Sequence, residues 1–231
     1  MEVSAVLVVN DHTSNSGAIG KTPQRQNARS AIACAEIFGQ SVLERTVARL
    51  RESGIRSISI IGGMNVPSFP HDRGVRVIRC VNPFLRWAKA QQILREEGSR
   101  IETSLMIGMS AYCEFDLADA LKFYRAQGSP LTQLEDGSGP LDFWIVDSEW
   151  FRSAAAECTL PFRYGEFPGL PIPFQVRCYV RRLAEASDLR TLVVDAFLGR
   201  SEIRPAGKEI RPGVWLDVDP GYPARSELGA E

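Results

Sequence analysis

The stretch that decides the fold is SVLERTVARLRESGIRSISIIGG, Ser41 to Gly63. Ser41 followed by Glu44 predicts a capping box, in which the serine hydroxyl accepts from a first-turn amide and the glutamate reaches back to the serine amide. Leu43, Val47 and Leu50 then recur at helical spacing and make one face apolar. Gly54 stands where a left-handed residue is expected to end the helix. Ser57 to Ile61 follows as a short isoleucine-rich strand, and Gly62-Gly63 ends it. A capped helix leading directly into an apolar strand is the repeating unit of a parallel sheet.

The unit recurs on both sides. Upstream, Val3 to Val9 is a continuous apolar run, the pattern of a strand buried on both faces. Downstream, Val75 to Arg79 reads as a strand before a helix from about Arg86 to Gly98. Ser104 to Ile107 reads as a strand before a helix that Asp116 caps, that carries Leu117, Leu121 and Tyr124, and that ends at Gly128. Alternation of this kind predicts a three-layer αβα sandwich with a mixed, mostly parallel sheet and right-handed crossovers. After Pro130 the rhythm changes. Leu131 to Leu134 and Phe143 to Val146 read as strands around the turn Asp136-Gly137-Ser138-Gly139-Pro140, which predicts an antiparallel excursion at the sheet edge. A helix near Glu149, a Pro/Gly-rich stretch from Pro161 to Pro173, a helix from about Phe174 to Ala186, and strands at Leu192 to Phe197 and Val214 to Val218 complete the expectation. No internal repeat divides the chain, so residues 1–231 read as one domain.

Composition narrows the function classes. Hydrophobic residues make up 44% and charged residues 24%, an ordinary globular mix that supports a full core without staples. Twenty-seven basic against twenty-eight acidic side chains give no global electrostatic reason to bind nucleic acid or an anionic membrane. No apolar run reaches bilayer length, and the segment after Met1-Glu2-Val3-Ser4 reads as a strand rather than a signal peptide, so a cytoplasmic protein is expected. The five cysteines, Cys34, Cys80, Cys113, Cys158 and Cys178, are odd in number and widely spaced, which predicts reduced, mostly buried thiols. With only His12 and His71, a His-rich metal site is impossible and a Ser/His/Asp triad has few candidates. From Asn10 to about Arg29 the chain is polar and structureless by pattern, long enough to mark a functional or mobile loop.

The order of these parts resembles the sugar-1-phosphate nucleotidyltransferases, which have the nucleotide-diphospho-sugar transferase (GT-A-like) fold. Ile37-Phe38-Gly39-Gln40-Ser41-Val42-Leu43, running on to Gly54-Ile55, is similar to the family's I-x-G-x-P-[LV]-[LI] segment and its following helix, with Ser41 at the usual proline position. Val214-Trp215-Leu216-Asp217-Val218 resembles the late W-x-D-[VTI]-G segment, and Phe143-Trp144-Ile145-Val146-Asp147 the middle strand. Asn82-Pro83-Phe84 is similar to nucleotidyltransferases that act on choline phosphate.

The resemblance implies a demanding reaction. A sugar phosphate displaces pyrophosphate from a nucleoside triphosphate, and catalysis is mostly positioning and charge neutralisation. Family members use a glycine-rich loop with an arginine, a following lysine, and two aspartates holding magnesium. Here the loop A-A-G-x-G-T-R falls on Val8-Val9-Asn10-Asp11-His12-Thr13-Ser14, without its glycines or arginine. The lysine falls on Ile32. The G-D of the first magnesium aspartate falls on Gly108-Met109, and only the second has a counterpart, Asp217. Methionine is no ligand for a hard cation.

The expected nucleotide-binding residues are therefore Asn10, Asp11, Thr13, Lys21 and Arg25. Lys21 and Arg25 are the catalytic candidates and Asp217 is the metal candidate; should a magnesium-dependent triphosphate site be found, a second carboxylate is to be sought among Asp11, Asp142 and Asp219. Each has a plainer alternative: Asp217 as a strand-end cap, the cations of the 10–29 segment as ordinary solvated charges. Trp144 and Trp215 read as core residues. The reading is a degenerate, catalytically impaired member: a nucleotide-sugar-binding or regulatory module in polysaccharide or cell-envelope synthesis, with magnesium only if active. The alternatives are an active magnesium-dependent enzyme making an NDP-sugar from NTP and sugar 1-phosphate, and a structural subunit dimerising with an active paralogue. Expected partners are a nucleotide or nucleotide-sugar and a homo- or hetero-oligomer, with no nucleic acid and no membrane.

Overall fold

The computed structural model describes residues 2–9, 31–70, 72–96, 101–154, 160–162, 169–204, 208–211 and 214–216. The candidates Asn10, Asp11, Thr13, Lys21, Arg25 and Asp217 lie outside the described residues, as do His12, His71, Cys158 and Asp219. In chain order the elements are β1 (Glu2–Val8), β2 (Glu36–Ile37), β3 (Gln40–Ser41), α1 (Val42–Glu52), β4 (Ser57–Gly62), β5 (Val75–Arg79), α2 (Arg86–Glu96), β6 (Ile101–Gly108) and β7 (Ala111–Cys113). They continue with α3 (Leu117–Gln127), β8 (Leu131–Asp136), β9 (Gly139–Asp147), α4 (Ser148–Ala154), β10 (Ile172–Gln175), β11 (Val180–Arg182), α5 (Ala186–Phe197), β12 (Lys208–Arg211) and β13 (Val214–Leu216).

Seven strands form one mixed sheet in the order β10-β8-β9-β6-β1-β4-β5. β1 pairs in parallel with β4 and β6, and β4 with β5. β9 runs antiparallel to β6 and to β8, while β10 pairs in parallel with β8. This is the α/β architecture expected of the alternating pattern, and the apolar run of β1 shows why. Ala5, Leu7 and Val9 enter one core layer with residues of α1, α3 and α5, whereas Val6 and Val8 enter the other with α2 and α4. Alternate side chains point to opposite faces of a strand, so only a central strand needs both sets apolar.

The helix signals hold in atomic detail. Glu44 N–H donates to Ser41 Oγ at 3.2 Å and Ser41 N–H to Glu44 Oε2 at 2.7 Å, closing the capping box of α1. Asp116 Oδ1 accepts from Ala118 N–H at 2.7 Å at the start of α3. Gly54 and Gly128 follow their helices at φ +85° and +61°, where a β-carbon would be strained.

The end of the chain departs from the sequence reading. The stretch read as a helix from Phe174 to Ala186 contains β10 and β11 instead, and Leu192 to Phe197, read as a strand, is the second half of α5. The reason is visible in side-chain burial. Ile172, Phe174, Val176 and Cys178 are half-buried, alternating with exposed Pro173, Gln175 and Arg177, a period of two. Conversely, Leu189, Leu192, Val193 and Ala196 meet the core at helical spacing. The β8–β9 hairpin also lies inside the sheet, because β10 covers its outer strand. Among the described residues no helix is long and apolar enough to cross a membrane.

Candidate functional site

The strand order reverses between β1 and β6. From β1 the chain runs outward through β4 and β5, then returns to place β6 on the other flank. In open α/β sheets ligands bind at the carboxyl ends of the strands where the order reverses, which in this sheet is between β1 and β6. Backbone bonds fix this rim: Met109 N–H donates to Val8 O, Val9 N–H to Ile61 O and Cys80 N–H to Gly62 O, each at 2.8 Å.

A buried cation reinforces it. Arg86, the first residue of α2, is wholly buried; its Nη1 donates to Val9 O at 2.6 Å and its Nε to Cys80 O at 3.0 Å. One guanidinium thereby ties the end of β1 to the chain leaving β5. The planar fork of arginine serves two divergent carbonyls at once, which a lysine ammonium on a flexible stem does less well. The sequence marks a helix start at Arg86 but not this role, because nothing in a sequence marks an arginine as buried.

Gly108 closes β6 between two neighbours. A β-carbon there would lie 2.7 Å from Asp142 Cβ and 3.1 Å from Trp87 Cζ2. Packing alone thus requires the glycine that the G-D resemblance picked out. Beyond it, Ser110 Oγ donates to Asp142 Oδ2 at 2.7 Å. Asp142 is half-buried on β9, beside the residue that ends β6. Of the carboxylates named for a second metal position, it is the one the described residues bring to the strand ends.

The position that the resemblance pairs with the first magnesium aspartate is different. Met109 is 5% exposed and packs into the same core layer as Leu7 and Val9. It offers no oxygen, as expected from the sequence, and it belongs to the core rather than to the wall of an open crevice. Asp142 shares one oxygen with Ser110. Among the described residues no group of three or more His, Cys, Asp or Glu could hold a metal ion. The described part of the rim therefore does not fit a magnesium site, and no step is derived through one.

Other sequence candidates resolve into structure. Trp144 is 1% exposed, stacked edge-on against Trp87 at 5.7 Å, a core residue as expected. Asn82 Oδ1 accepts from Phe84 N–H at 3.0 Å and so caps the short 3-10 turn Pro83–Leu85, which accounts for the Asn82-Pro83-Phe84 segment without a ligand. Cys34, Cys80, Cys113 and Cys178 are free thiols, half-buried rather than buried as expected. A cavity of about 770 Å³ lies between α3 and β10, beside the carboxyl end of β10, with Phe115, Phe123 and Phe174 in its walls. Glu114, Asp119, Lys122 and Arg177 also line it, but it lies at the outer strand β10, so the candidate site is placed at the reversal of strand order.

Comparison with solved structures shows the fold. The chain superposes on HddC from Yersinia pseudotuberculosis with a TM-score of 0.59 at 14% identity, over 84% of this chain and 99% of that one. HddC has also been solved complexed with GMP-PN. A putative glucose-1-phosphate thymidylyltransferase from Bacillus anthracis gives 0.60 at 11% identity, covering 87% and 96%. The 4-diphosphocytidyl-2C-methyl-D-erythritolsynthase from Anaerococcus prevotii gives 0.57 at 12%, covering 86% and 96%. No protein-family model matches the chain, and no curated protein matches it by sequence. The fold is nucleotidyltransferase-like, as the order of motifs implied.

Proposed function

We propose that this protein is a degenerate sugar-phosphate nucleotidyltransferase, one domain over residues 1–231 that binds a nucleotide or nucleotide-sugar and does not transfer the nucleotidyl group. It serves as a regulatory or scaffolding module of polysaccharide or cell-envelope synthesis in the cytoplasm. The observation that carries this reading is Met109: where the resemblance requires a magnesium aspartate, a buried apolar side chain belongs to the core. The reversal of strand order between β1 and β6 and the GMP-PN complex of HddC support retention of nucleotide binding. In this reading Asn10, Asp11 and Thr13 contact the nucleotide, and Lys21 and Arg25 neutralise phosphate charge in place of the missing arginine and lysine.

A second reading, an active magnesium enzyme, draws on Asp142. It stands beside Gly108 and, with Asp217, would restore a pair of carboxylates from a different strand. Pyrophosphate release from nucleoside triphosphates with sugar 1-phosphates and magnesium separates the two. The loss of one charge-stabilising group costs about 10²–10³ in rate, so several losses predict no release above a protein-free blank. Release that Asp142→Asn and Asp217→Ala each abolish would establish the second reading instead.

A further inference from the structure

We propose that Cys113 and Cys178 are a redox-modification site, a dithiol that closes to a reversible disulfide with a hydroperoxide as oxidant. The two are 65 positions apart in sequence, yet their sulfurs lie 3.8 Å apart. The approach is built by backbone. Cys113 ends β7 opposite Val180 of β11, and Glu114 N–H donates to Tyr179 O at 3.0 Å, which holds the chain before β11 against the end of β7. Both side chains are half-buried, neither sealed in the core nor free in solvent. A disulfide needs about 2.05 Å between sulfurs, so closure asks for a shift of less than about 2 Å, within reach of side-chain rotation and a small ribbon adjustment.

The surroundings favour one order of events. The Cys113 thiol, hydrogen-bonded to the Cys178 sulfur, draws Cys178 below the usual thiol range, and the Glu114 amide and Arg49 act in the same direction against burial and the Glu114 carboxylate. The same hydrogen bond, with burial, raises Cys113. Cys178 is thus the thiolate that reacts first. Its sulfur attacks one oxygen of hydrogen peroxide; the S–O bond forms, the O–O bond breaks, and hydroxide leaves and takes up a proton as water. The Cys113 sulfur then attacks the Cys178 sulfenic acid; the S–S bond forms, the S–O bond breaks, and the second water departs with the Cys113 proton. Two thiols lose two electrons and one peroxide becomes two waters.

The position gives the bond a consequence. Cys178 and Glu114 line the cavity between α3 and β10, and β7 is the strand that leaves the crevice rim just after Met109 and Ser110. Closure would tie the cavity wall to the segment that leaves the rim.

Equimolar peroxide on the reduced, full-length protein tests it. The expected result is the loss of two titratable thiols and two hydrogens in intact mass, a Cys113–Cys178 cross-link in the peptide map, and full reversal by dithiothreitol. Cys113→Ser should yield a dimedone-trapped sulfenic acid at Cys178 and no disulfide, with Cys113→Ala standing in should the serine variant misfold. Recovery of both peptides as free thiols, or a disulfide joining other cysteines, would overturn the proposal, and the wild-type peptide map alone is enough to show either outcome.

Discussion

Gly108 and Arg86 bear on the strand ends through opposite properties, one by having no side chain and the other by burying a charged one. Alanine at position 108 must push Asp142 and the Trp87 ring aside at the end of β6. Overpacking of this kind costs about 1–3 kcal/mol, so Gly108→Ala should lower the urea midpoint without changing the slope. Arg86→Leu removes the donors to Val9 O and Cys80 O and leaves two carbonyls unpaired next to the core. An unsatisfied buried group costs about 1–3 kcal/mol, so the loss should be about 2–6 kcal/mol by urea unfolding, and Arg86→Lys should recover only part of it. A loss under about 1 kcal/mol for Arg86→Leu would mean that water reaches those carbonyls. Neither residue is a catalytic candidate; both are positioning residues whose variants would blunt any activity at the rim only through the fold.

At the scale of elements, what is legible in the sequence is what local signals carry. The capping box of α1, Asp116 before α3 and the left-handed glycines after both helices involve residues within a turn of one another, so a sequence displays them directly. The region from Phe174 onward is not legible in the same way, because its apolar residues are ambiguous at short range. The Leu192-Val193-Val194 run has strand propensity, yet it lies in α5, where Asp188 closes a capping box with Glu185 and tertiary contacts decide. Among those contacts is Asp195, 2% exposed. Its carboxylate accepts from Tyr179 Oη at 2.7 Å, Arg181 Nη2 at 2.7 Å and Arg200 Nη1 at 3.2 Å, fastening α5 to β11 and the chain just before it. These bonds, Tyr179 first, hold the Asp195 carboxyl below its usual range against the penalty of burial. A depressed folded-state value contributes stability that is present above the unfolded value of about 3.9 and is lost as pH falls through the folded one. Asp195→Asn should therefore cost about 1–3 kcal/mol at pH 7, with the gap to wild type shrinking as pH falls below about 4. Urea melts of both proteins at neutral and acid pH measure it, and a gap that stays constant across that range would remove the charge from the account.

For the whole molecule, the fold is more legible than the site. Alternating units imply a parallel sheet wherever they occur, but which strands flank the crevice depends on the reversal of order between β1 and β6, a global property of the sheet. Gly108 and Asp142 meet across the β6–β9 pairing, and no local spacing joins positions 108 and 142. In the proposed function buried Met109 stands at the first metal position, so no cation there would screen a triphosphate, and Asp142 adds a like charge nearby. On the proposed function Lys21 and Arg25 would offset the charge of a diphosphate more fully than that of a triphosphate, and the sugar of a nucleotide-sugar would add neutral contacts. Titration calorimetry should thus find a nucleoside diphosphate-sugar binding more tightly than the corresponding triphosphate, with affinities unchanged by magnesium and reduced by Lys21→Ala or Arg25→Ala. Tighter binding of the triphosphate that requires magnesium would contradict the role given to Met109 and direct the search for metal ligands to Asp142 and Asp217. Binding of neither ligand would remove the crevice from the account and leave the fold without its inferred ligand.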